Sequence, residues 1–231
     1  MMLTTSIILI TLFVLWIISG YVPTRNIETP AYSVMETKGD YEIRQYASYV
    51  VAETHQKGSQ KESLSGGFRE LFQYISGNNT ARSKVAMTAP VLQSAESGGQ
   101  KIPMSAPVIK QGDGGSRLIA FVMPAGSTPE DLPRPKSTVI RLRAVPPRNM
   151  AACTFSGYAT GDTIRAHTEK LLAALQRDGI QEKSAPQIAL YNPPWTPPFM
   201  RRNEIMVEID RAQADSHDVQ HHTAERNNSI L

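Results

Sequence analysis

The stretch at residues 191–202 reads YNPPWTPPFMRR and is the most constrained part of the chain. Its four prolines fix the backbone φ angle and leave four positions without an N–H donor, so it cannot form a helix or a central strand. The segments on either side, QIAL at 187–190 and EIMVEI at 204–209, have the apolar content or the polar–apolar alternation of strands. We therefore predict a rigid crossing between two strands.

Two aromatic residues and two basic residues lie on this crossing. Trp195 and Phe199 are its rings, and Arg201 and Arg202 end it with positive charge. Rings beside guanidinium groups suit an amphipathic ligand with an apolar body and an anionic edge. A proline-rich loop that only caps the core is the alternative interpretation.

The N-terminal segment is strongly apolar. Residues 3–22 contain no charged side chain, and a helix over this run would span roughly the 30 Å hydrocarbon layer of a bilayer. No Lys or Arg precedes the run, and ISGYV at 18–22 is a poor cleavage site. We predict an uncleaved transmembrane anchor, or signal anchor, at 1–24 and a linker at 25–31. Secretion after cleavage of a signal peptide is the alternative.

The remaining chain shows the same order of elements twice. Each half reads strand, strand, helix, strand, strand, which indicates an internal duplication of about 100 residues. The predicted helices cover 62–75 and 162–177, and the last two strands flank the proline crossing. We predict an α+β domain at 32–211, a distorted antiparallel β-barrel with two helices, followed by a disordered polar tail at 212–231.

The first helix carries a bulky apolar face. Phe68, Leu71, Phe72 and Ile75 recur at helical spacing on one side. Together with Met87 they are soft, large residues that suit a cleft for a flat hydrophobic ligand. A purely structural role in the core is the alternative for each of them.

Composition and motifs argue against several other functions. The formal net charge of +3, without a basic block beyond Arg201 and Arg202, does not favour nucleic-acid binding. The single cysteine, Cys153, excludes an intramolecular disulfide. No nucleophile has a recognisable base, so we do not expect an enzyme.

His167, on the apolar side of the second helix, is either a core residue or a ligand.

Several spaced motifs resemble the SOUL haem-binding protein family. They are the doubled KVAMTAPV at 84–91 and KIPMSAPV at 101–108, YEIR at 41–44, and YNPP at 191–194 followed by RRNE at 201–204. The doubled octapeptides are expected to be proline-limited edge or bulged strands. The resemblance implies a barrel of duplicated βαββ-type units that binds haem or another tetrapyrrole, non-covalently, in a shallow apolar groove beside the first helix.

The resemblance also suggests roles for particular residues. The helix face from Phe68 to Ile75 matches the family's groove helix, Tyr191 matches a groove-side tyrosine, and His167 matches a histidine of some members. Where some members have a lysine that meets a haem propionate, this chain has Thr196, which leaves Arg201 or Arg202 for that contact. The groove helix carries no histidine, so an axial ligand is not expected from it.

The resulting hypothesis is a membrane-tethered tetrapyrrole carrier or buffer without enzymatic activity. Its globular domain is expected on the non-cytoplasmic side, in a periplasmic or envelope compartment, because an N-terminal tether suits a haem binder there. The alternative is an effector-sensing or protein-interaction module of the related two-fold βαββ sensor type.

Overall fold

The computed structural model describes residues 2–21, 28–81, 84–95 and 115–210. In these residues the chain forms three α-helices and nine strands. The helices are Met2–Tyr21 (α1), Gln60–Ile75 (α2) and Gly161–Arg177 (α3). The strands are Tyr32–Lys38 (β1), Tyr41–Tyr46 (β2), Tyr49–Gln56 (β3), Val91–Ala95 (β4), Arg117–Val122 (β5), Ile140–Val145 (β6), Arg148–Phe155 (β7), Gln187–Leu190 (β8) and Asn203–Glu208 (β9).

All nine strands belong to one antiparallel sheet with the order β1-β2-β7-β9-β8-β4-β5-β3-β6. The unit β3-α2-β4-β5 recurs as β7-α3-β8-β9, and the two units meet where β4 pairs with β8. The strand preceding each unit pairs with the other half, since β2 pairs with β7 and β6 with β3. This exchange confirms the predicted duplicated α+β fold and joins the two halves into one curled half-barrel.

The two faces of the sheet are covered differently. Helix α2 packs on β3 and β5, and α3 packs on β7 and β9, over two apolar clusters on the convex face. A third cluster draws residues from strands across the whole sheet order, including Tyr46, Val51, Val145 and Met206. The sheet therefore curls around this third cluster, which lines the concave face.

The proline crossing was predicted correctly. It joins β8 to β9, which pair with each other from Gln187↔Met206 to Leu190↔Asn203. Between them, Pro198–Met200 form one 3₁₀ turn. The four prolines thus make a rigid connection rather than interrupting a strand.

Helix α1 meets the globular part at this crossing. The Trp16 indole N–H donates to the carbonyl oxygen of Trp195 at 2.9 Å, and the Trp195 indole donates to that of Ser19 at 3.2 Å. A Cβ on Gly20 would lie 2.6 Å from Pro197, so only glycine permits this approach. Within the described residues, none of the helices has both the length and the apolar character needed to cross a bilayer. The predicted membrane anchor is therefore not supported.

One predicted strand is wrong, and three predictions lie partly or wholly outside the described residues. Residues 84–90 form no strand, because Pro90 has no N–H and the backbone donors of Val85 and Ala89 bond to Ile75 and Glu28 instead. Only from Val91 does the chain join the sheet. Outside the described residues lie the matching octapeptide at 101–108, the tail at 212–231 and residues 25–27 of the linker.

Candidate functional site

The position of α2 is fixed by its start and by a close approach to the sheet. Ser59 and Glu62 form a reciprocal capping box that satisfies backbone donors at the first turn. A Cβ on Gly67 would come within 2.5 Å of the Ile119 side chain, so glycine lets the helix pack directly on β5. Leu71 and Ile75, which are fully buried, complete the contact.

The same helix presents two aromatic rings side by side. Phe68 and Phe72 stack with centroids 5.9 Å apart and planes 9° from parallel, as residues one turn apart can. Phe68 also meets Phe121 of β5 edge to face at 5.2 Å, which anchors the pair in the core. Phe72 remains 47% exposed. An anchored, flat apolar surface therefore faces solvent on α2.

The segment after α2 extends this surface. Its backbone is tied to the helix end, where the Val85 N–H donates to the carbonyl oxygen of Ile75 at 2.8 Å, and Val85 packs in the same cluster as Phe68. Two residues further on, Met87 is 42% exposed. We name Phe68, Phe72 and Met87 the α2 wall. Large exposed apolar side chains in one region are typical of a binding surface.

The α2 wall is an open surface rather than a cavity. Two small depressions lie instead on the concave face, lined by residues such as Tyr49, Leu92 and Gln187. The wall is therefore a candidate for the shallow groove beside α2, and its contact with a ligand stays a prediction. Leu71 and Ile75, both predicted to contact a ligand, lie beneath it and support it from the core.

Tyr191 and Arg202 belong to a different place, a buried ionic network around Glu204. The Glu204 side chain is fully buried and accepts hydrogen bonds from Arg44 at 2.9 Å, from the Tyr191 hydroxyl at 2.7 Å and from Arg202 at 2.7 Å. The Arg202 guanidinium lies over the Tyr191 ring, 4.4 Å from its centre. Tyr191 packs with the concave cluster, so the structure separates it from the α2 wall.

The electrostatics of this network favour an ionised carboxylate. Burial alone would raise the pKa of Glu204, but the hydrogen bond and charge of Arg44, with further help from Tyr191 and Arg202, hold that pKa below its usual value. Burial first, and then the negative charge of Glu204, raises the pKa of Tyr191 well above its ordinary value. Both groups serve the structure of the sheet interior. Arg202 is therefore already committed to an internal partner.

The other two predicted residues of the crossing are also engaged within the chain. Arg201 donates from Nε to the carbonyl oxygen of Thr196 at 2.8 Å and from Nη2 to that of Pro194, and it lies over the Tyr158 ring at 4.5 Å. Trp195 is 56% exposed but meets α1 rather than α2. The predicted site residues therefore divide into the α2 wall with its supports and a separate set on the crossing.

His167 lies on α3, in the other half of the sheet. Its ring stacks on Phe155 with centroids 4.2 Å apart and planes 12° from parallel. Burial lowers the pKa of His167, with a smaller contribution from Lys170. Within the described residues no group of three or more His, Cys, Asp or Glu side chains is arranged to hold a metal ion. This histidine is packed in the convex core and does not face the α2 wall.

Sequence reasoning missed several residues that matter in the structure. Arg44 and Glu204 form an ion pair although 160 positions separate them in the sequence. The one sequence signal for this pair was a charged residue within each of two otherwise apolar strands. On α2, Arg69 is exposed three residues before Phe72, which makes the two side chains neighbours on the helix surface. Lys84, also exposed, precedes Val85 in the segment beside the wall. These two cations flank the apolar surface.

A single curled antiparallel sheet with two helices on its convex face defines the class of α+β half-barrel domains. The family model for the SOUL heme-binding protein matches residues 27–208. The chain therefore belongs to the SOUL haem-binding protein family. A search of curated proteins found no match.

Solved structures with the same fold are distant in sequence. The C-terminal domain of EcmrR superposes with a TM-score of 0.53 at 11% identity and covers 78% of this chain and 98% of its own. An uncharacterized conserved protein from Listeria innocua gives a TM-score of 0.56 at 11% identity, with 75% and 93% covered. A hydrolase from Listeria innocua gives 0.53 at 11% identity, with 76% and 94% covered. At such identities the likeness concerns the fold alone.

Proposed function

We propose that the protein binds haem or another tetrapyrrole on the α2 wall and acts as a non-enzymatic carrier or buffer. The observation that carries the proposal is the stacked pair of Phe68 and Phe72, held from below by Phe121 and open to solvent above. Membership of the SOUL family supports a tetrapyrrole ligand. A flat macrocycle matches a flat, pre-formed aromatic surface.

Burial supplies the affinity in this proposal. A porphyrin face that covers several hundred Å² of apolar surface gains on the order of 5 to 10 kcal/mol at about 25 cal/mol per Å² before ordering costs. The upper part of that range exceeds the roughly 8.2 kcal/mol of micromolar binding without a bond to iron. Haem, when bound, supplies its Soret absorption as a signal. Because the wall is open, the ligand can leave without movement of a lid, which suits a carrier or buffer.

The edge of the ligand requires a positive partner, and the flanking cations provide one. Arg201 and Arg202 already bind carbonyl or carboxylate oxygens of the chain, whereas Arg69 and Lys84 are exposed beside the wall. A propionate at the rim of the ligand would pair with either of them in water, an interaction of at most about 1 kcal/mol. Arg69 and Lys84 therefore orient the ligand more than they hold it.

The experiment is a titration of the full chain with hemin, followed by the Soret band. We expect a saturable shift at micromolar hemin that persists when salt is raised, because burial dominates. Arg69→Met should weaken binding by less than about tenfold and reduce its salt dependence. The absence of a saturable shift would reject the proposal, and complete loss of binding in Arg69→Met would reject the burial mechanism.

A second candidate function is effector sensing by the concave face. The cleft there, next to Tyr49 and Leu92, is the observation that favours it, together with the fold shared with the C-terminal domain of EcmrR, a protein also solved in a complex with DNA. A partner that binds only in the presence of a small ligand would support this candidate. Partner binding that is unaffected by small ligands would speak against it.

A further inference from the structure

Helix α1 exposes apolar side chains all around its axis. Every residue from 4 to 16 is exposed, over about three and a half turns of helix. None of these residues is charged, and their large apolar side chains range from 40% exposed at Trp16 to 67% exposed at Leu9. A helix that is apolar on all sides belongs in the core of a large protein or in lipid. A protein partner along one side of α1 would leave its other sides in water.

The three polar side chains of α1 between residues 7 and 19 satisfy their hydrogen-bond donors without water. The Thr11 hydroxyl donates to the carbonyl oxygen of Ile7 at 2.9 Å. The Ser19 hydroxyl donates to that of Trp16 at 2.8 Å. The indole N–H of Trp16 donates to the carbonyl oxygen of Trp195 at 2.9 Å. Hydrocarbon imposes this requirement because it offers no hydrogen-bond partner, whereas water does not impose it.

The proline crossing presents further aromatic rings where α1 meets it. Trp195 is 56% exposed, Phe199 61% and the neighbouring Tyr158 54%. The loop of Tyr158 is tied to the crossing, because the Gly157 N–H donates to the carbonyl oxygen of Pro198 at 2.9 Å. Tryptophan and tyrosine concentrate at the boundary between hydrocarbon and headgroups, since their rings have an apolar body and a polar tip. We name residues 4–16 together with these three exposed rings the α1 surface.

We propose that a lipid bilayer covers the α1 surface, with residues 4–16 in the hydrocarbon layer and the rings of the crossing among the headgroups. Lipid surrounds a helix on all sides, as the exposure of α1 requires. Such contact does not require α1 to cross the layer, since residues 4–16 extend about 20 Å along the helix axis and the hydrocarbon is roughly 30 Å thick. The α1 surface shares no residue with the α2 wall, so this inference does not depend on the tetrapyrrole proposal.

The first test is flotation of the full chain with phosphatidylcholine vesicles, which form when detergent is removed from a mixture of protein and lipid. We expect the chain to float with the vesicles at low and at high salt, because burial and not charge drives the contact. Leu9→Asp combined with Phe13→Asp places two carboxylates in the hydrocarbon layer and should reduce the floating fraction at least about tenfold. Val34→Asp changes a side chain of β1 that is 49% exposed and should float like the native chain. Circular dichroism checks that each variant is folded.

The second test measures where the crossing lies relative to the bilayer. Trp16 and Trp195 are the two tryptophans of the chain, so Trp16→Phe leaves fluorescence that reports on Trp195 alone. Phospholipids brominated close to the headgroup should quench Trp195 at least about twice as strongly as phospholipids brominated at the end of the acyl chain. Phe199→Asp in the same background should reduce this quenching, since a carboxylate moves the crossing away from the acyl chains.

Three outcomes would overturn the proposal. Unchanged flotation of the Leu9→Asp, Phe13→Asp variant would mean that α1 does not enter lipid. Absence of quenching of Trp195 by both brominated lipids would mean that the crossing stays away from the bilayer. An oligomer of the chain that the same double substitution dissociates, again without quenching, would mean that a second copy covers the α1 surface. Hemin should bind the double variant and the native chain equally, and its failure to bind both would count only against the α2 wall.

Discussion

Phe72→Asp is the substitution that tests the α2 wall most directly. An aromatic side chain buries about 150 to 250 Å² when covered. Because Phe72 is 47% exposed, a ligand on the wall would cover about 100 Å² of it, worth about 2.5 kcal/mol at 25 cal/mol per Å². Pressing a carboxylate against the ligand adds a desolvation cost of about 1 to 3 kcal/mol. The two terms sum to about 3.5 to 5.5 kcal/mol, so hemin should bind roughly 300 to 10,000 times more weakly.

The fold should survive the same substitution. The covered half of Phe72 contributes about 3 kcal/mol by the same calculation, and an acidic residue in the last turn of α2 costs up to about 1 kcal/mol more. A domain of this size tolerates such a loss with a lower melting temperature. Circular dichroism therefore has to show native secondary structure before the hemin titration of the variant is interpreted.

Two control variants make the result decisive. Phe199→Asp removes another exposed ring, 61% exposed on the proline crossing, and should leave the Soret titration unchanged. His167→Ala should change hemin affinity by less than about tenfold, because the ring is stacked on Phe155 under α3. If His167→Ala removes the Soret shift and Phe72→Asp does not, the wall is not the site and His167 is the ligand.

Two further predictions concern stability. Gly67→Ala should lower the melting temperature by several degrees, because the added Cβ would overpack α2 against β5 at a cost of about 1 to 3 kcal/mol. The control Gly39→Ala should be neutral, since no atom lies within 4 Å of the added Cβ. Glu204→Gln should cost up to about 3 to 5 kcal/mol in urea unfolding, because it removes the buried counter-charge of Arg44 and leaves that arginine only its pair with Glu42 at 2.7 Å. The substitution Glu130→Gln, on the surface, should cost little. The pKa of Glu204 in the folded state is lowered from 4.5. Its ionisation therefore contributes fully to the free energy of unfolding above about pH 4.5, and this contribution is lost as the pH falls through the folded-state pKa. Acid should consequently destabilise the native chain more steeply than it destabilises the Glu204→Gln variant. Equal acid sensitivity of the native chain and Glu204→Gln would contradict the argument from the Glu204 pKa. A lower melting temperature of Gly39→Ala would contradict the packing argument for Gly67.

Local patterns in the sequence predicted the elements well where one physical constraint dominated. Prolines without N–H groups defined the crossing, and helical periodicity placed α2 and α3 within two residues of their observed starts. The repeated order of elements predicted the duplication, because each half has the same alternation of strands and helix. The strand prediction for residues 84–90 was wrong although their side chains are typical of strands. The backbone N–H groups of Val85 and Ala89 bond to the carbonyl oxygens of Ile75, at the end of α2, and Glu28, in the linker.

The composition of the candidate site was only half predictable from the sequence. Alternation along β8 shows that Ile188 and Tyr191 lie on different faces, but not which face the helices cover. Tyr191 points to the concave face, so it joins Glu204 instead of the α2 wall. The pairing of Glu204 with Arg44 depends on how β2, β7 and β9 are ordered in the sheet, which is a property of the topology and not of any local pattern.

A comparison of the two duplicated helices shows why α2 carries an exposed apolar wall and α3 does not. Leu71 and Ile75 of α2 correspond, 100 residues on, to Leu171 and Leu175 of α3, and all four are buried. At the position of Gly67, where α2 approaches β5 most closely, α3 has a histidine whose ring fills the space over Phe155.

The next position differs just as much between the two helices. Phe68 of α2 supports the exposed ring of Phe72, whereas Thr168 of α3 turns its hydroxyl back to the carbonyl oxygen of Ile164. Leu172, the counterpart of Phe72, is partly buried against the convex core. The same position is thus partly covered in α3 and open in α2, which is the contrast that a ligand-binding role for α2 predicts.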